Sequence, residues 1–167
     1  MMVARVSCPG CKALVPDIEE LRARNLYVLA VPGCFAAYAE VIGHEAADPG
    51  LAGVHMLSAD VYPIQHPGVP GRQSSQSVWV HLVGLCLSLE HGFDGVASAR
   101  AKARLAAPRT VFDWLEPPTS RGDVTILDVL DSEPDRHAET VERWANSVWL
   151  AWSIHHAAVR ARAKTLL

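Results

Sequence analysis

The chain has 167 residues, of which 50% are apolar and 20% are charged, a composition typical of a folded protein with a hydrophobic core. Its formal net charge is −3, and without a general excess of basic residues we do not expect nucleic acid as a partner. Because the sequence has no run of about 18 apolar residues, we expect no membrane association. The first residues lack the pattern of a signal peptide, so we expect a cytoplasmic protein with reduced thiols.

The first informative motif in the chain is Cys8-Pro9-Gly10-Cys11. Two cysteines on a tight Pro-Gly turn can supply two thiolates of a tetrahedral zinc site. A redox-active pair is one alternative, although a thioredoxin-like motif requires a strand before it and a helix after it. The other alternative is that the two cysteines have unrelated roles. We predict a metal site.

Residues 1–33 are expected to be irregular around this turn, with one short helix at 16–24. Pro16 suits the first turn of a helix, and the acidic residues that follow it suit the positive end of the helix dipole. The apolar run at 27–31 ends at a Pro-Gly pair.

The rest of the chain is predicted to be helical. Longer helices are expected at 34–47, 51–66, 74–91 and 134–165, and shorter ones at 97–105 and from 123 or 125 to 130. Pro63 should kink or weaken the last turn of the second of these helices. We therefore predict an all-α fold, a bundle of four main helices plus short ones, in one domain of residues 1–167 with segment 1–33 packed on the bundle.

The connections between the helices predict where the metal ligands meet. Short turns make consecutive helices antiparallel, which brings Cys34 close to His66 and places His81 across from residues 59–62. From this pairing we expect Cys34, His66 and His81 at one end of the bundle. The candidate ligands are Cys8, Cys11, Cys34, His66 and His81, and such a thiolate-rich set favours Zn²⁺ over Mg²⁺ or Ca²⁺. Alternatives remain for two of them, because Cys34 fits a buried apolar position and His81 fits a catalytic base or a hydrogen-bonded core histidine.

Polar residues on one stripe of the second long helix suggest chemistry. His55, Tyr62 and His66 recur at helical spacing, and Asp60 lies beside them. If only three protein ligands hold the zinc, its fourth position can carry a water of lowered pKa. His55, Asp60 and Tyr62 are then the candidate catalytic residues, acting as acid, base or orienting group on a small molecule in a bundle pocket.

Taken together, these motifs resemble an uncharacterised bacterial family of small proteins, a domain of unknown function common in actinobacteria. The resemblance covers nearly the whole chain and is most specific between His55 and Leu85. Pro63 departs from the pattern, since an ordinary helix former is expected there. The resemblance implies no reaction, substrate or partner. Its central elements are Cys8-Pro9-Gly10-Cys11, His55, Asp60-Val61-Tyr62, Gln65-His66-Pro67-Gly68, Ser75-Gln76-Ser77-Val78 and His81-Leu82-Val83-Gly84-Leu85.

Three hypotheses follow for the function. The first is a zinc-binding helical protein that acts on a small molecule. The second is a non-catalytic adaptor with a structural zinc, in which the tryptophans and the Pro-rich loop around Pro117 form a partner surface. The third is a bundle enzyme whose metal is held by His55, His81 and His156. A homo-oligomer is compatible with each of them.

Overall fold

The computed structural model describes residues 4–18 and 28–167. It is helical, as predicted, apart from one small sheet. The elements in chain order are β1 (Arg5–Ser7), β2 (Leu14–Pro16), α1 (Pro32–Ala47), α2 (Ala52–Gln65), α3 (Arg72–His91), α4 (Gly95–Leu105), α5 (Ile126–Leu130), α6 (His137–Ala151) and α7 (His156–Lys164).

The N-terminal segment is a hairpin, which the sequence analysis missed. Strands β1 and β2 pair antiparallel, with Val6 opposite Val15. The helix predicted at 16–24 is wrong where it can be checked, because Pro16 belongs to β2 and residues 17–18 are irregular; its remainder lies outside the described residues. Val15 is fully buried in the core that the hairpin shares with the helices. The apolar contact of this segment with the bundle is therefore made by one face of a strand and not by one face of a helix.

Helices α1 and α2 form the antiparallel pair that the short connection predicts. Their boundaries match the predicted segments within three residues, and the turn between them is fixed by a hydrogen bond from Gly50 N to Asp48 Oδ1 (2.8 Å). Helix α2 continues through Pro63 to Gln65, so this proline does not end it. His66 caps the helix and donates its backbone N–H to Tyr62 O.

The following helices begin and end where local signals place them. Gly92 ends α3 in the left-handed conformation (φ 67°), and Asp94 caps α4 by accepting a hydrogen bond from Ala97 N (2.8 Å). Helix α5 begins with a capping box between Thr125 and Asp128.

The last predicted helix is wrong as a single element. The chain leaves α6 at Trp152, passes through a 3-10 turn at Ser153–His155 and resumes as α7. At this break the Trp152 indole N–H donates to Ile64 O (3.2 Å), which ties the turn to α2. After this break α7 packs against α3.

Helix α2 lies at the centre of the bundle, where it contacts α1, α3, α4 and α6. One continuous core joins hairpin and helices; its largest fully buried apolar side chains include Trp144, Trp152, Tyr62, Ile64, Leu82 and Leu85. None of the helices within the described ranges combines the length and hydropathy needed to cross a membrane.

Candidate metal centre

The turn between β1 and β2 presents the two N-terminal cysteines. Backbone hydrogen bonds from Cys8 N to Ala13 O and from Lys12 N to Cys8 O, both 2.9 Å, close the loop. Lys12 completes it with a positive φ of 67°, a conformation that non-glycine residues seldom adopt. Both cysteines are buried, so the turn directs them into the protein.

The other two members of the cluster lie at the ends of two neighbouring helices. Cys34 is in the first turn of α1, and His66 directly follows α2, so the antiparallel pairing brings them together. Cys34 Sγ lies 3.4 Å from His66 Nε2 and 3.8 Å from Cys11 Sγ. The ligand atoms of Cys8, Cys11, Cys34 and His66 all lie within 4.8 Å of one another, and all four residues are buried.

The tautomer of His66 is set by its own helix. Its Nδ1 lies 2.8 Å from Tyr62 O, and since a carbonyl oxygen only accepts, Nδ1 carries the proton. In the neutral ring, which is the form that binds a metal, Nε2 then has a lone pair on the side of the three sulfur atoms. Metal-bound histidines are commonly fixed in this way by a backbone carbonyl on the second nitrogen.

The distances match a tetrahedral metal site. With Zn–S bonds of about 2.3 Å, two sulfurs of a tetrahedron are about 3.8 Å apart, and a sulfur and a nitrogen are about 3.5 Å apart. The corresponding distances here are 3.8 Å and 3.4 Å. The sulfurs are also far beyond the roughly 2.05 Å of a disulfide, and all the described cysteines are free.

The electrostatics of the cluster favour a cation. Hydrogen bonds with Cys11 and Cys34 hold the pKa of the Cys8 thiol far below its usual range, while hydrogen bonds with Cys11 and Cys8 raise the pKa of Cys34. Burial lowers the pKa of His66, but hydrogen bonds with Cys11 and Cys8 outweigh it and raise that pKa to about 9. The Cys8 thiolate is therefore stabilised beside a cationic His66, and a metal ion that binds here would take the place of the protons on His66 and on the remaining thiols.

Neighbouring residues hold the ligands in place. Tyr62 donates its hydroxyl to Cys34 Sγ (3.5 Å) and stacks on Tyr38 with ring centroids 3.9 Å apart. Arg121, from the loop before α5, donates to the carbonyls of Pro9 and Gly10 at 3.3 Å and 3.2 Å, which fastens the turn from outside.

Gln65 connects this shell to the rest of the bundle. Its amide nitrogen donates to Arg121 O (3.2 Å) and Val124 O (2.8 Å), and its oxygen accepts from the Trp144 indole (2.9 Å). The sequence analysis did not single out Arg121 or Gln65 as supports of the site. The position of Gln65 directly before His66 was the available signal.

The profile of a family of unknown function, DUF5946, matches residues 6–153, which is most of the chain. The chain belongs to this family. It has no match among the curated proteins or among the solved structures. Residues 6–153 contain all four members of the cluster, so the candidate metal centre lies within the part of the chain that matches the DUF5946 profile.

Of the five predicted ligands, the structure brings four together, and His81 lies outside the group. His81 is in the middle of α3, where its Nδ1 is 2.8 Å from Asp60 Oδ1. It follows the start of α3 by nine residues, about 14 Å of helix, and so it lies well away from the end of α2 that carries His66. It is a partly buried histidine bonded to a neighbour, one of the alternatives that the sequence left open.

The three candidate catalytic residues are separated from one another in the DUF5946 chain. His55 lies beside Glu45, Asp60 pairs with His81 and Lys102, and Tyr62 contacts the cysteine cluster. Burial, followed by the negative charge of Cys34, raises the pKa of Tyr62. Tyr62 therefore supports the cluster as a hydrogen-bond donor.

The all-histidine ligand set is also not assembled. His55 and His81 lie with different acidic partners, and the ring of His156 stacks on Trp149 at 3.8 Å. Four of the five tryptophans are buried and cannot contribute to a partner surface, while Trp114 in the Pro-rich loop is partly exposed. His137 is buried and contacts Glu45, and the sequence around it gives no sign of this contact.

Proposed function

We propose that this protein binds one Zn²⁺ as a structural ion, held by Cys8, Cys11, Cys34 and His66. The observation that carries the proposal is the approach of four buried ligand atoms from three separate chain segments to within 4.8 Å of one another. The ion would join the N-terminal hairpin to the first turn of α1 and the end of α2.

The donor set supports zinc over other biological cations. Three thiolates and one imidazole are the ligands of Cys₃His structural zinc sites, while Mg²⁺ and Ca²⁺ require oxygen ligands. One Zn²⁺ with three thiolates leaves a net charge of −1, and the Tyr62 hydroxyl is placed to donate to one of the sulfurs.

The same geometry supports a structural role rather than a catalytic one. A catalytic zinc keeps one position open for water or substrate, whereas four protein ligands fill a tetrahedron. Cys8, Cys34 and His66 are each fully buried, so a substrate would have no route to the ion without rearrangement. Of the first hypothesis from the sequence, a zinc-binding protein that acts on a small molecule, this proposal keeps the zinc binding and gives up a reaction at the zinc.

A structural ion would also stabilise the N-terminal hairpin, which is too small to be stable alone. Two strands of three residues form too small a sheet to be stable alone. The free energy of metal binding becomes folding free energy where the site forms only in the folded chain. Zinc would thus hold the hairpin on the bundle.

Metal analysis with matched cysteine variants tests the proposal. Protein purified without added metal is assayed for zinc and for free thiols. We expect one zinc per chain in the parent, loss of zinc with a lowered Tm in Cys8→Ser, and retention of zinc in Cys86→Ser, which removes a cysteine outside the cluster. A parent without zinc, or Cys8→Ser with its zinc intact, would refute the proposal.

A second candidate function is acid–base chemistry at His81. A carboxylate only accepts hydrogen bonds, so its contact with Asp60 places the proton on Nδ1 and leaves Nε2 as a base. The His81 side chain is 25% exposed, and Asp60 is fully buried, so a small molecule can approach the ring from one side. A panel of esters and amides tests this: turnover that His81→Gln abolishes and His155→Gln preserves would support it, and turnover equal in both would refute it.

A further inference from the structure

A second polar cluster lies at the opposite end of α1 from the cysteines. Glu45, in the last turn of α1, has a side chain with no exposed surface. Its Oε1 accepts hydrogen bonds from Ser58 Oγ (2.7 Å) in α2 and from His137 Nε2 (2.9 Å) at the start of α6. A buried carboxylate thus stands where three helices meet.

Two atoms of this cluster are buried and lack a hydrogen-bond partner. They are Glu45 Oε2 and His55 Nδ1, which face each other at 3.4 Å. Burying a polar atom without a hydrogen bond is unfavourable, and at 3.4 Å these two atoms are close enough together for one ion to contact both. Among the described residues, the ion-pair partners of Glu45 are two histidines and no lysine or arginine, so its charge has no permanent counter-ion.

We propose that Glu45, His55 and His137 bind a divalent first-row transition-metal ion. Two imidazoles and one carboxylate are a well-known ligand set for such ions, leaving further positions for water. With metal–ligand bonds of about 2.1 Å, adjacent ligand atoms are about 3.0 Å apart in an octahedral site and about 3.4 Å apart in a tetrahedral one. The distances from the Glu45 oxygens to the two imidazoles are 2.9 Å and 3.4 Å.

Completion of this site requires that His137 Nε2 give up the proton it donates to Glu45 Oε1 and that one side chain move. In the described ranges, the groups with all ligand atoms within 4.8 Å of one another are the cysteine cluster and Cys86 with Glu90 and His91. The Glu45 set is therefore wider, and His55, whose side chain is 32% exposed, is the member free to move inward. A cavity of about 150 Å³ adjoins the cluster on the side of His137 and is not lined by Glu45 or His55.

This site is independent of the proposed zinc site. Glu45 follows Cys34 by eleven residues on α1, which corresponds to about 16 Å of helix. The two sites also differ in chemistry, since carboxylate and imidazole accept Mn²⁺ whereas the thiolate cluster selects softer ions. A manganese titration therefore reports on the Glu45 site with little contribution from the cysteines.

The test is a titration of the full chain, as purified, with Mn²⁺ followed by electron paramagnetic resonance, and with Co²⁺ followed by equilibrium dialysis. We expect one added ion per chain for at least one of the two metals, and a rise in Tm on its addition. Glu45→Gln and His137→Gln should each weaken this binding at least tenfold. His55→Gln, at a partly exposed position, provides the same test if the other variants fold poorly.

Matched variants separate binding from mere structural support. Glu139 is exposed on α6, and His155 lies outside the cluster. The Glu139→Gln and His155→Gln variants should therefore bind the ion as the parent protein does. A purely hydrogen-bonded role for Glu45 would lower stability without any metal-dependent rise in Tm. The proposal is overturned if neither ion binds at a one-to-one ratio, or if binding survives in all three cluster variants.

Discussion

Gly10 is the position at which a single methyl group should disturb the proposed zinc site most directly. A Cβ at this residue would lie 2.3 Å from His66 Cδ2 and 3.0 Å from Gln65 O. The His66 ring cannot turn aside freely, because its Nδ1 is bonded to Tyr62 O and its side chain is fully buried. In Gly10→Ala, the ring and the cysteine turn must therefore separate.

The size of the separation follows from the contact. Ordinary van der Waals contact begins at 3.4 Å, so the atoms at 2.3 Å must move apart by about 1.1 Å. This is about half of a Zn–N bond of roughly 2.0–2.1 Å. Changes that only misorient a ligand cost 10–100-fold in metal affinity, so we expect at least a loss of about 100-fold, or about 2.7 kcal/mol. Competition with a chromophoric zinc chelator measures it.

Gly43→Ala is the matched control for this substitution. Gly43 lies within α1, and a Cβ there meets nothing within 4 Å. Its zinc affinity should equal that of the parent, and its free energy of unfolding should increase by about 0.8–1 kcal/mol, since alanine favours the helix. Zinc affinity in Gly10→Ala equal to that of the parent would show that His66 is not a ligand, and the reasoning would fail.

Three further predictions concern the shell and the core. Gln65→Leu should lower the free energy of unfolding in urea by about 2–4 kcal/mol, because the Trp144 indole and two carbonyls lose their buried partner. Lys102→Met leaves the fully buried Asp60 without its cation and should cost about 3–5 kcal/mol, part of which Asp60→Asn in the same chain restores. Burial raises the pKa of Cys86 to about 11, so the folded chain keeps a proton that the unfolded chain loses above about pH 8.5; stability should fall as pH rises from there through 11, less steeply in Cys86→Ala.

Each of these predictions has a control at an exposed position or in the same chain. Gln73→Leu and Lys164→Met alter exposed helix residues and should change the free energy of unfolding by less than about 0.5 kcal/mol. Equal losses in Gln65→Leu and Gln73→Leu, or in Lys102→Met and Lys164→Met, would contradict the assigned roles. The pH series uses zinc-loaded protein, so that the clustered thiols stay ionised, and equally steep declines with and without Cys86 would contradict the third prediction.

The sequence could predict those members of the cysteine cluster whose positions depend on helix connectivity. Cys34 begins one helix and His66 ends the next, so a short turn between the helices is enough to bring them together. The same helix pairing also places His81 across from residues 59–62, where its Nδ1 lies 2.8 Å from Asp60 Oδ1. What the pairing did not predict is that this stretch of α2 lies too far from His66 for His81 to join the cysteine cluster.

Other features depend on tertiary contacts that leave no local pattern. The strands of the hairpin have three residues each, too few for an alternating pattern to be recognised. The break at Trp152 arises where its indole bonds to Ile64 O in a distant helix. The pairing of Glu45 with His137 joins residues 92 positions apart, and neither residue carries a neighbouring motif.

The contact of Arg121 with the N-terminal turn makes two distant parts of the chain depend on each other. Its guanidinium grips the Pro9 and Gly10 carbonyls across more than a hundred residues of sequence. A protease cut between residues 106 and 120 would leave all four cysteines intact but should weaken the contact of Arg121 with the cysteine turn. Zinc-loaded nicked protein should then release the proposed ion to a chelator faster than uncut protein does.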